Sequence, residues 1–121
     1  MAVGSILVAD DDKTYRNSMQ KVLERAGYSV ESAWDVDSAL EALRARHFDL
    51  LVCDCRMPGK SGLDLLQELR RDHSVVPVLM ISACADAATE ARALELGAIE
   101  LIRKPVRRQE LIDSAARVVG G

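Results

Sequence analysis

LLVCDCRMPGKSG, residues 50–62, joins a continuous apolar run to a Pro-Gly turn through one carboxylate, Asp54. An apolar run without polar alternation is typical of a strand that is covered on both faces of a parallel sheet. A carboxylate at the end of such a strand is costly to bury unless it is paired or hydrogen-bonded. Asp54 therefore either caps a loop or takes part in chemistry, and the turn after it leaves room for a reaction partner.

Five short apolar runs alternate with five segments of helical spacing. The predicted strands are Ser5–Ala9, Tyr28–Ser32, Asp49–Cys53, Val75–Ile81 and Ile99–Ile102. The helical segments carry regularly spaced apolar residues: Met19, Val22, Leu23 and Ala26; Ala39, Leu40 and Leu43; Leu65, Leu66 and Leu69; Ala91 and Leu94; and Leu111, Ile112, Ala115 and Val119. This βα alternation predicts one α/β domain with a parallel sheet that has helices on both faces. We expect the doubly wound, flavodoxin-like (βα)5 type, for which the strand order is 2-1-3-4-5.

Several helix ends carry capping signals. The N-terminal candidates are Asp12, Asp35 or Asp37, and Ser61, and the C-terminal candidates are Gly27 and Gly97. These residues separate the predicted helices from the strands on either side.

The composition describes one ordinary globular domain. Of the 121 residues, 49% are apolar and 29% charged, and the formal net charge of −3 gives no basic surface for DNA or RNA. No apolar run approaches the roughly 20 residues of a membrane span, and the N-terminus MAVGSILVADDD has no signal-peptide pattern. We therefore expect a cytoplasmic protein that binds neither nucleic acid nor membrane through this domain.

Three cysteines, Cys53, Cys55 and Cys84, are an odd number that suits a reducing compartment better than a disulfide framework. A metal site built from Cys-x-Cys with His47 or His73 matches no zinc spacing. We interpret Cys53 and Cys55 as reduced packing residues that point to the face opposite Asp54.

Polar residues follow the ends of four of the five predicted strands. The first strand ends at Asp10–Asp12, the third at Asp54, the fourth at Ser82 and the fifth at Lys104. Ligands of an open parallel sheet bind beyond the carboxyl ends of its strands, where the strand order reverses. These side chains are therefore predicted to share one site.

Asp10, Asp11 and Asp54 converge if the first and third strands are neighbours. At about 4 Å and an effective dielectric constant near 20, each pair of like charges repels by about 4 kcal/mol. A cation is therefore needed, and a few carboxylate ligands favour Mg²⁺. With Lys104 as a second cation and Ser82 as a hydroxyl donor, the cluster would form a cradle for a phosphoryl group, with Asp54 as the nucleophile.

In this order and at these spacings, ILVADDD, DCRMPGKSG, VLMISA, ALELGA and IRKP resemble the receiver domain of bacterial two-component response regulators. The resemblance covers residues 4–119 and implies a signalling switch, not a turnover enzyme, although slow self-phosphorylation and self-dephosphorylation are expected. It also implies a sensor histidine kinase or phosphotransfer protein as partner, and a homodimer through the fourth helix, fifth strand and fifth helix. The resemblance fits both a receiver followed by an effector domain after residue 121 and a stand-alone receiver, and the sequence does not separate these two alternatives.

The resemblance assigns a role to each acidic residue of the site. Asp54 would be the phosphoacceptor. Asp11 would ligate Mg²⁺ directly, together with Asp54 and the backbone carbonyl of Arg56. Asp10 would act mainly through metal-bound water.

The fourth and fifth strands would carry the response. By the resemblance, Ser82 turns toward the phosphoryl oxygen, Lys104 pairs with that group, and the Lys104–Pro105 peptide bond is cis. The region from the fourth to the fifth strand would then shift. Leu101 stands where many receivers carry a switch aromatic, so switching would proceed without rotation of an aromatic side chain.

Two further positions depart from the family pattern. Arg56 and Cys84 stand two residues after the phosphoacceptor and two after the site hydroxyl, where side chains flank the attacking water. Neither is an obvious water-positioning acid or amide, so we expect a long-lived acyl phosphate.

Two alternative functions can be drawn from the same residues. Asp10-x-Asp12-x-Thr14 after an apolar strand resembles the nucleophile motif of haloacid-dehalogenase-like phosphatases, with Asp10 as nucleophile and Asp12 as acid/base. That alternative lacks an adjacent acidic pair after Lys104, leaves Asp54 without a role, and needs a longer chain. A receiver-like binding module that is never phosphorylated is the second alternative. Asp12 can also simply cap the first helix.

Overall fold

The structure, a computed structural model, describes residues 3–83 and 86–120 and forms a five-stranded parallel sheet with helices on both faces. In chain order the elements are β1 (Ser5–Ala9), α1 (Lys13–Arg25), β2 (Ser29–Ala33), α2 (Val36–Ala45), β3 (Leu50–Asp54), α3 (Gly62–Arg71), β4 (Val78–Ser82), α4 (Ala87–Glu95), β5 (Glu100–Arg103) and α5 (Arg108–Val119). The strand order is β2-β1-β3-β4-β5, and each neighbouring pair is parallel. The predicted doubly wound fold and strand order are confirmed.

The sheet separates two cores because successive residues of a strand point to opposite faces. In β3, Leu50 and Val52 face α1 and α5, whereas Leu51 and Cys53 face α2, α3 and α4. All five residues of β3 are buried, as the unbroken apolar run predicted. The central position of β3 places its last residue, Asp54, in the middle of the carboxyl edge of the sheet.

Side-chain caps fix the helix starts nearest that edge. The Asp12 carboxylate accepts from the backbone amides of Thr14 and Tyr15, at 3.0 and 3.2 Å, and caps α1. Asp35, not Asp37, caps α2, and Ser61 caps α3. These caps satisfy amides that have no partner within the helix.

The predicted start of β4 is wrong. The ladder with β3 begins at Val78, and Val75 is 91% exposed. Pro77 lacks an N–H to donate to a neighbouring strand, although its carbonyl accepts from the amide of Leu51. The apolar residues 75–77 therefore belong to the loop before β4, and the strand begins after Pro77.

The predicted face of α4 is also wrong. Ala91 and Leu94 are exposed, and Ala93 is the buried residue. α4 is short and alanine-rich, so its apolar residues do not define one stripe. Its contact with the sheet depends on a small side chain that permits close approach.

Cys53 and Cys55 are free thiols buried in the core beneath α2, α3 and α4, which confirms their packing role. Cys84 lies outside the described residues.

Within residues 3–83 and 86–120, no helix combines the length and apolarity needed to cross a membrane.

Candidate functional site

The carboxyl edge of the sheet brings the predicted acidic residues together. Ala9 of β1 pairs with Cys53 of β3, so the next residues along the two strands, Asp10 and Asp54, lie side by side. Asp10, Asp11 and Asp54 each offer a carboxylate oxygen, and these oxygens lie within 4.8 Å of one another. Asp10 and Asp54 are buried, whereas Asp11 is exposed to solvent. The set is all oxygen and open on one side, which suits a hard, partly hydrated divalent cation.

Lys104 pairs with two of these acids, Asp54 and Asp10. Its Nζ lies 3.0 Å from Asp54 Oδ2 and 3.4 Å from Asp10 Oδ2, and its side chain is 17% exposed. Burial lowers the pKa of Lys104, but the hydrogen bond and charge of Asp54 and the charge of Asp10 outweigh that effect and raise it overall. Lys104 is therefore a persistent cation at the site.

The backbone around Lys104 ties it to β4. The Lys104–Pro105 bond is cis, as the sequence resemblance implied. The Lys104 amide donates to the carbonyl of Ser82 at 2.8 Å, directly after the last residue pair of the β4–β5 ladder. A displacement of Ser82 and a displacement of Lys104 are consequently coupled through the main chain.

Asp10 carries the most strongly perturbed carboxyl group of the site. Burial raises its pKa to about 6, against the lowering effect of the hydrogen bond from the Asp12 amide. The charge of Asp54 raises this pKa further, and that of Lys104 lowers it. Near neutral pH the ionised form of Asp10 is thus held at a free-energy cost that a bound cation would offset.

The Asp54 carboxylate has two described hydrogen-bond partners. Its Oδ1 accepts from the amide of Arg56 at 3.2 Å, and its Oδ2 accepts from Lys104. The Arg56 side chain is exposed. The roles proposed for the Arg56 carbonyl and for Arg56 and Cys84 at the attacking water stay predictions.

Ser82 is buried at the end of β4, and its side chain lies on the same face of the sheet as Cys55. Burial raises the pKa of the Cys55 thiol, and a hydrogen bond from the Ser82 hydroxyl partly lowers it. Leu101 of β5 is half-buried and packs against the core beneath α2, α3 and α4. Switching without rotation of an aromatic side chain at this position stays a prediction.

Two residues that contact the site were not predicted as site residues. The Tyr15 ring centroid lies 4.3 Å from Lys104 Nζ, and Gly62 lies against the backbone carbonyl of Asp54. An aromatic residue in the first turn of a helix looks like a core residue in a sequence, and a glycine at a helix start looks like a turn residue. Neither sequence pattern indicates that the residue contacts the end of a distant strand.

Comparison with known proteins identifies the family. The family model described as the response regulator receiver domain matches residues 6–116. The transcriptional regulatory protein FixJ of Bradyrhizobium diazoefficiens is 35% identical over 117 residues, which cover 94% of this chain and 57% of FixJ. The response regulator protein PilR of Pseudomonas aeruginosa is 37% identical over 115 residues, covering 93% of this chain and 26% of PilR. The chain thus spans between about a quarter and just over half of these relatives.

Solved structures agree with this assignment. The receiver domain of Francisella response regulator 1452 superposes with a TM-score of 0.91 at 29% identity, covering 96% of both chains. The receiver domain of NtrX from Brucella abortus gives a TM-score of 0.88 at 35% identity, covering 94% of this chain and 97% of that one. With the fold, the strand-end acids and the matching family model in agreement, the chain belongs to the response regulator receiver domain family.

Proposed function

We propose that this receiver domain is a phosphorylation-activated switch. Asp54 accepts a phosphoryl group from a histidine of a sensor kinase or phosphotransfer protein. The observation that supports this role most directly is the bridge from Lys104 to both Asp54 and Asp10 within a cluster that can hold a divalent cation. Mg²⁺ would be held by Asp11, Asp54 and the Arg56 carbonyl, with Asp10 acting through water.

The transfer itself uses the nucleophilicity of one carboxylate. An Asp54 oxygen forms a bond to phosphorus while the bond from phosphorus to the donor breaks and the donor leaves with its electron pair. Lys104 and the Ser82 hydroxyl would pair with the phosphoryl oxygens. Bound Mg²⁺ would supply charge neutralisation for the acids and the phosphoryl group.

Phosphorylation would change the charge of the site and so bias two conformations of the domain. The new group adds about −1.5 to −2 charges. The backbone amide of Lys104 donates to the carbonyl of Ser82. Arg103 Nη2 in β5 lies 3.8 Å from Glu90 Oε2 in α4. A rearrangement at Ser82 and Lys104 would therefore reach α4 and β5, as a shift between populations that already exist.

The phosphatase alternative is less compatible with the local geometry. It needs the Asp12 carboxylate as an acid/base next to Asp10, but this carboxylate accepts two amide hydrogen bonds as the cap of α1. FixJ is named as a transcriptional regulatory protein, and we propose transcription control through a following effector domain as the output. The reduced, buried thiols support the proposed cytoplasmic location.

Incubation with acetyl phosphate and Mg²⁺, followed by intact-protein mass measurement, tests the phosphoacceptor. Wild type is expected to gain one phosphoryl group only when Mg²⁺ is present, because Asp54 attacks phosphorus and acetate leaves. Asp54→Asn is expected to gain none, since the amide is not a nucleophile of this kind. Asp37→Asn, which alters an exposed carboxylate outside the site, is the matched control and should match wild type.

Other outcomes would replace the proposal. Labelling that persists in Asp54→Asn but is lost in Asp10→Asn, or continuous release of phosphate without Asp54, would support the phosphatase. No labelling of any variant would leave a binding module.

A homodimer through α4, β5 and α5 is a further prediction of the proposed switch. Leu94 of α4 and Ile99 before β5 are large exposed apolar side chains on this surface. Leu94→Lys is expected to raise the dissociation constant of the phosphorylated dimer by roughly tenfold or more, measured by analytical ultracentrifugation. Val75→Lys, at an apolar position before β4 that is more exposed than Leu94, is the control and should leave this dissociation constant unchanged. Equal weakening by both variants, or by neither, would contradict this interface.

A further inference from the structure

We propose that Tyr15 is a positioning residue for Lys104, and that it holds the ammonium group and the loop after β5 where they can meet a phosphoryl group on Asp54. This inference rests on the phosphoacceptor role proposed above. Tyr15 lies in the first turn of α1. It would act on the reaction only through Lys104.

The first contact is between the Tyr15 ring and the ammonium group. Lys104 Nζ lies 4.3 Å from the ring centroid, well inside the range of about 6 Å in which a cation is attracted to an aromatic face. The Lys104 side chain is largely buried, so this attraction is weakened little by solvent. The ammonium thus has three partners, namely the two carboxylates of Asp54 and Asp10 and the ring.

The second contact is between the Tyr15 hydroxyl and the backbone that follows Lys104. The amide of Val106 donates to Tyr15 Oη at 2.8 Å. Tyr15, Pro105 and Val106 line one side of a cavity of about 270 Å³ between α1 and α5. One side chain therefore contacts Lys104 at its charged end and fixes the main chain two residues beyond it.

Tyr15 is itself held by the residues that form the acidic site. Its backbone amide donates to the Asp12 carboxylate at 3.2 Å, and the Asp12 amide donates to Asp10 Oδ1 at 2.9 Å. A continuous series of hydrogen bonds thus runs from the acid cluster through the helix cap to the residue under Lys104. The position of the lysine is set relative to the acids from two directions.

Removal of the ring should loosen Lys104 without altering the carboxylates. In Tyr15→Leu the ammonium keeps its two acidic partners but loses the face that confines it on the α1 side. We expect the rate of phosphorylation by acetyl phosphate to fall about fivefold to tenfold, the change produced by loss of one partly desolvated cation–aromatic contact. Tyr15→Phe retains the ring and should restore most of that rate.

A spectroscopic measurement tests the contact independently of phosphorylation. Because Lys104 Nζ lies over the ring, the protons on the carbon bonded to it are expected to have NMR signals shifted upfield by the ring current in wild type. Tyr15→Phe should keep this shift and Tyr15→Leu should abolish it. Tyr28→Phe, which removes the other tyrosine hydroxyl and its hydrogen bond to Gly120, is the matched control and should change neither shift nor rate.

The kinetic arm uses a double-mutant cycle. If Tyr15 acts through Lys104, Tyr15→Leu should slow phosphorylation in wild type but have no further effect in a Lys104→Ala background. An equal slowing in both backgrounds, or Lys104 signals at unshifted positions in wild type, would overturn the proposal. The NMR measurement on wild type does not depend on the folding of any variant. Failure of wild type to be phosphorylated at Asp54 would instead refute the proposed function and leave the ring-current result to decide the contact.

Discussion

Asp10→Asn is expected to raise the free energy of unfolding at pH 7 by about 3 kcal/mol in the absence of Mg²⁺, and to remove most of the stabilisation that Mg²⁺ gives to wild type. Burial raises the pKa of Asp10 to about 6 from an ordinary value of 3.8. Ionised Asp10 is therefore destabilising in the metal-free domain. Asparagine is neutral, and its side-chain oxygen can still accept from the Asp12 amide.

The effect has a defined pH dependence. Because the pKa of Asp10 is higher in the folded than in the unfolded chain, the favourable contribution of its protonated form is fully present below about pH 4. It is lost as the pH rises from about 4 to about 6, because over this range the unfolded chain has released the proton that the folded chain still holds. The variant should thus differ little from wild type near pH 4, and the difference should grow to its full value above pH 6.

Urea unfolding monitored at several pH values, with and without Mg²⁺, measures both effects. At ten times its dissociation constant, Mg²⁺ should stabilise wild type by about 1.4 kcal/mol. Asp11→Asn is the matched control because Asp11 belongs to the same cluster but is exposed. It should weaken the response to Mg²⁺ while changing metal-free stability by less than about 0.5 kcal/mol. A metal-free Asp10→Asn domain that is no more stable than wild type would show that Lys104 already compensates the buried charge.

The acid cluster could be predicted from the sequence because parallel strands end at one edge of the sheet. Given the strand order expected for a flavodoxin-like sheet, residues that immediately follow β1, β3, β4 and β5 had to lie near one another. Asp10, Asp11, Asp54 and Lys104 do so. This step used the chain direction and the spacing of apolar runs, which are local properties of the sequence, together with the strand order of the fold class.

Features that depend on side-chain packing between distant elements could not be predicted in this way. The contact of Tyr15 with Lys104 joins α1 to the loop after β5, and nothing near Tyr15 in the sequence reports a lysine 89 positions away. The perturbed pKa of Asp10 depends on complete burial, which strand-end location alone does not imply. The prediction of the buried face of α4 was wrong for a related reason, because one small residue, Ala93, decides which side of that helix approaches the sheet.

Gly62→Ala is expected to destabilise the domain by about 3 kcal/mol and to slow phosphorylation of Asp54. A Cβ atom at this position would overlap the Asp54 carbonyl oxygen and lie 3.0 Å from the Asp54 carbonyl carbon and 2.9 Å from Met80 Cε. The Gly62 amide also donates to the Cys55 carbonyl at 2.9 Å, which holds the start of α3 against the end of β3. The overlap can be relieved only by moving the backbone that carries the phosphoacceptor.

Whether Gly62→Ala destabilises or stabilises the domain shows why glycine is needed at this position. Destabilisation would mean that a Cβ atom has no room, because the backbone conformation itself does not require glycine. Gly62 is the first residue of α3 and is not among the glycines with positive φ, so without the overlap alanine would stabilise the helix by a few tenths of a kcal/mol up to about 1 kcal/mol. Gly59 is the matched control, since it has φ of +80° and open space around its missing Cβ. Gly59→Ala should cost only the backbone strain of about 1 to 2 kcal/mol and leave phosphorylation unchanged.

Urea unfolding and the rate of labelling by acetyl phosphate measure the two consequences of Gly62→Ala separately. Combining it with Met80→Leu tests which contact matters. Met80 is a flexible side chain that can move aside, whereas the Asp54 carbonyl is backbone, so the second substitution should restore little of the lost stability. If Met80→Leu rescued the variant, the steric conflict would lie in the core and not beneath the phosphoacceptor. If Gly62→Ala were itself stabilising, the end of β3 would be free to move, and Asp54 would not depend on α3 for its position.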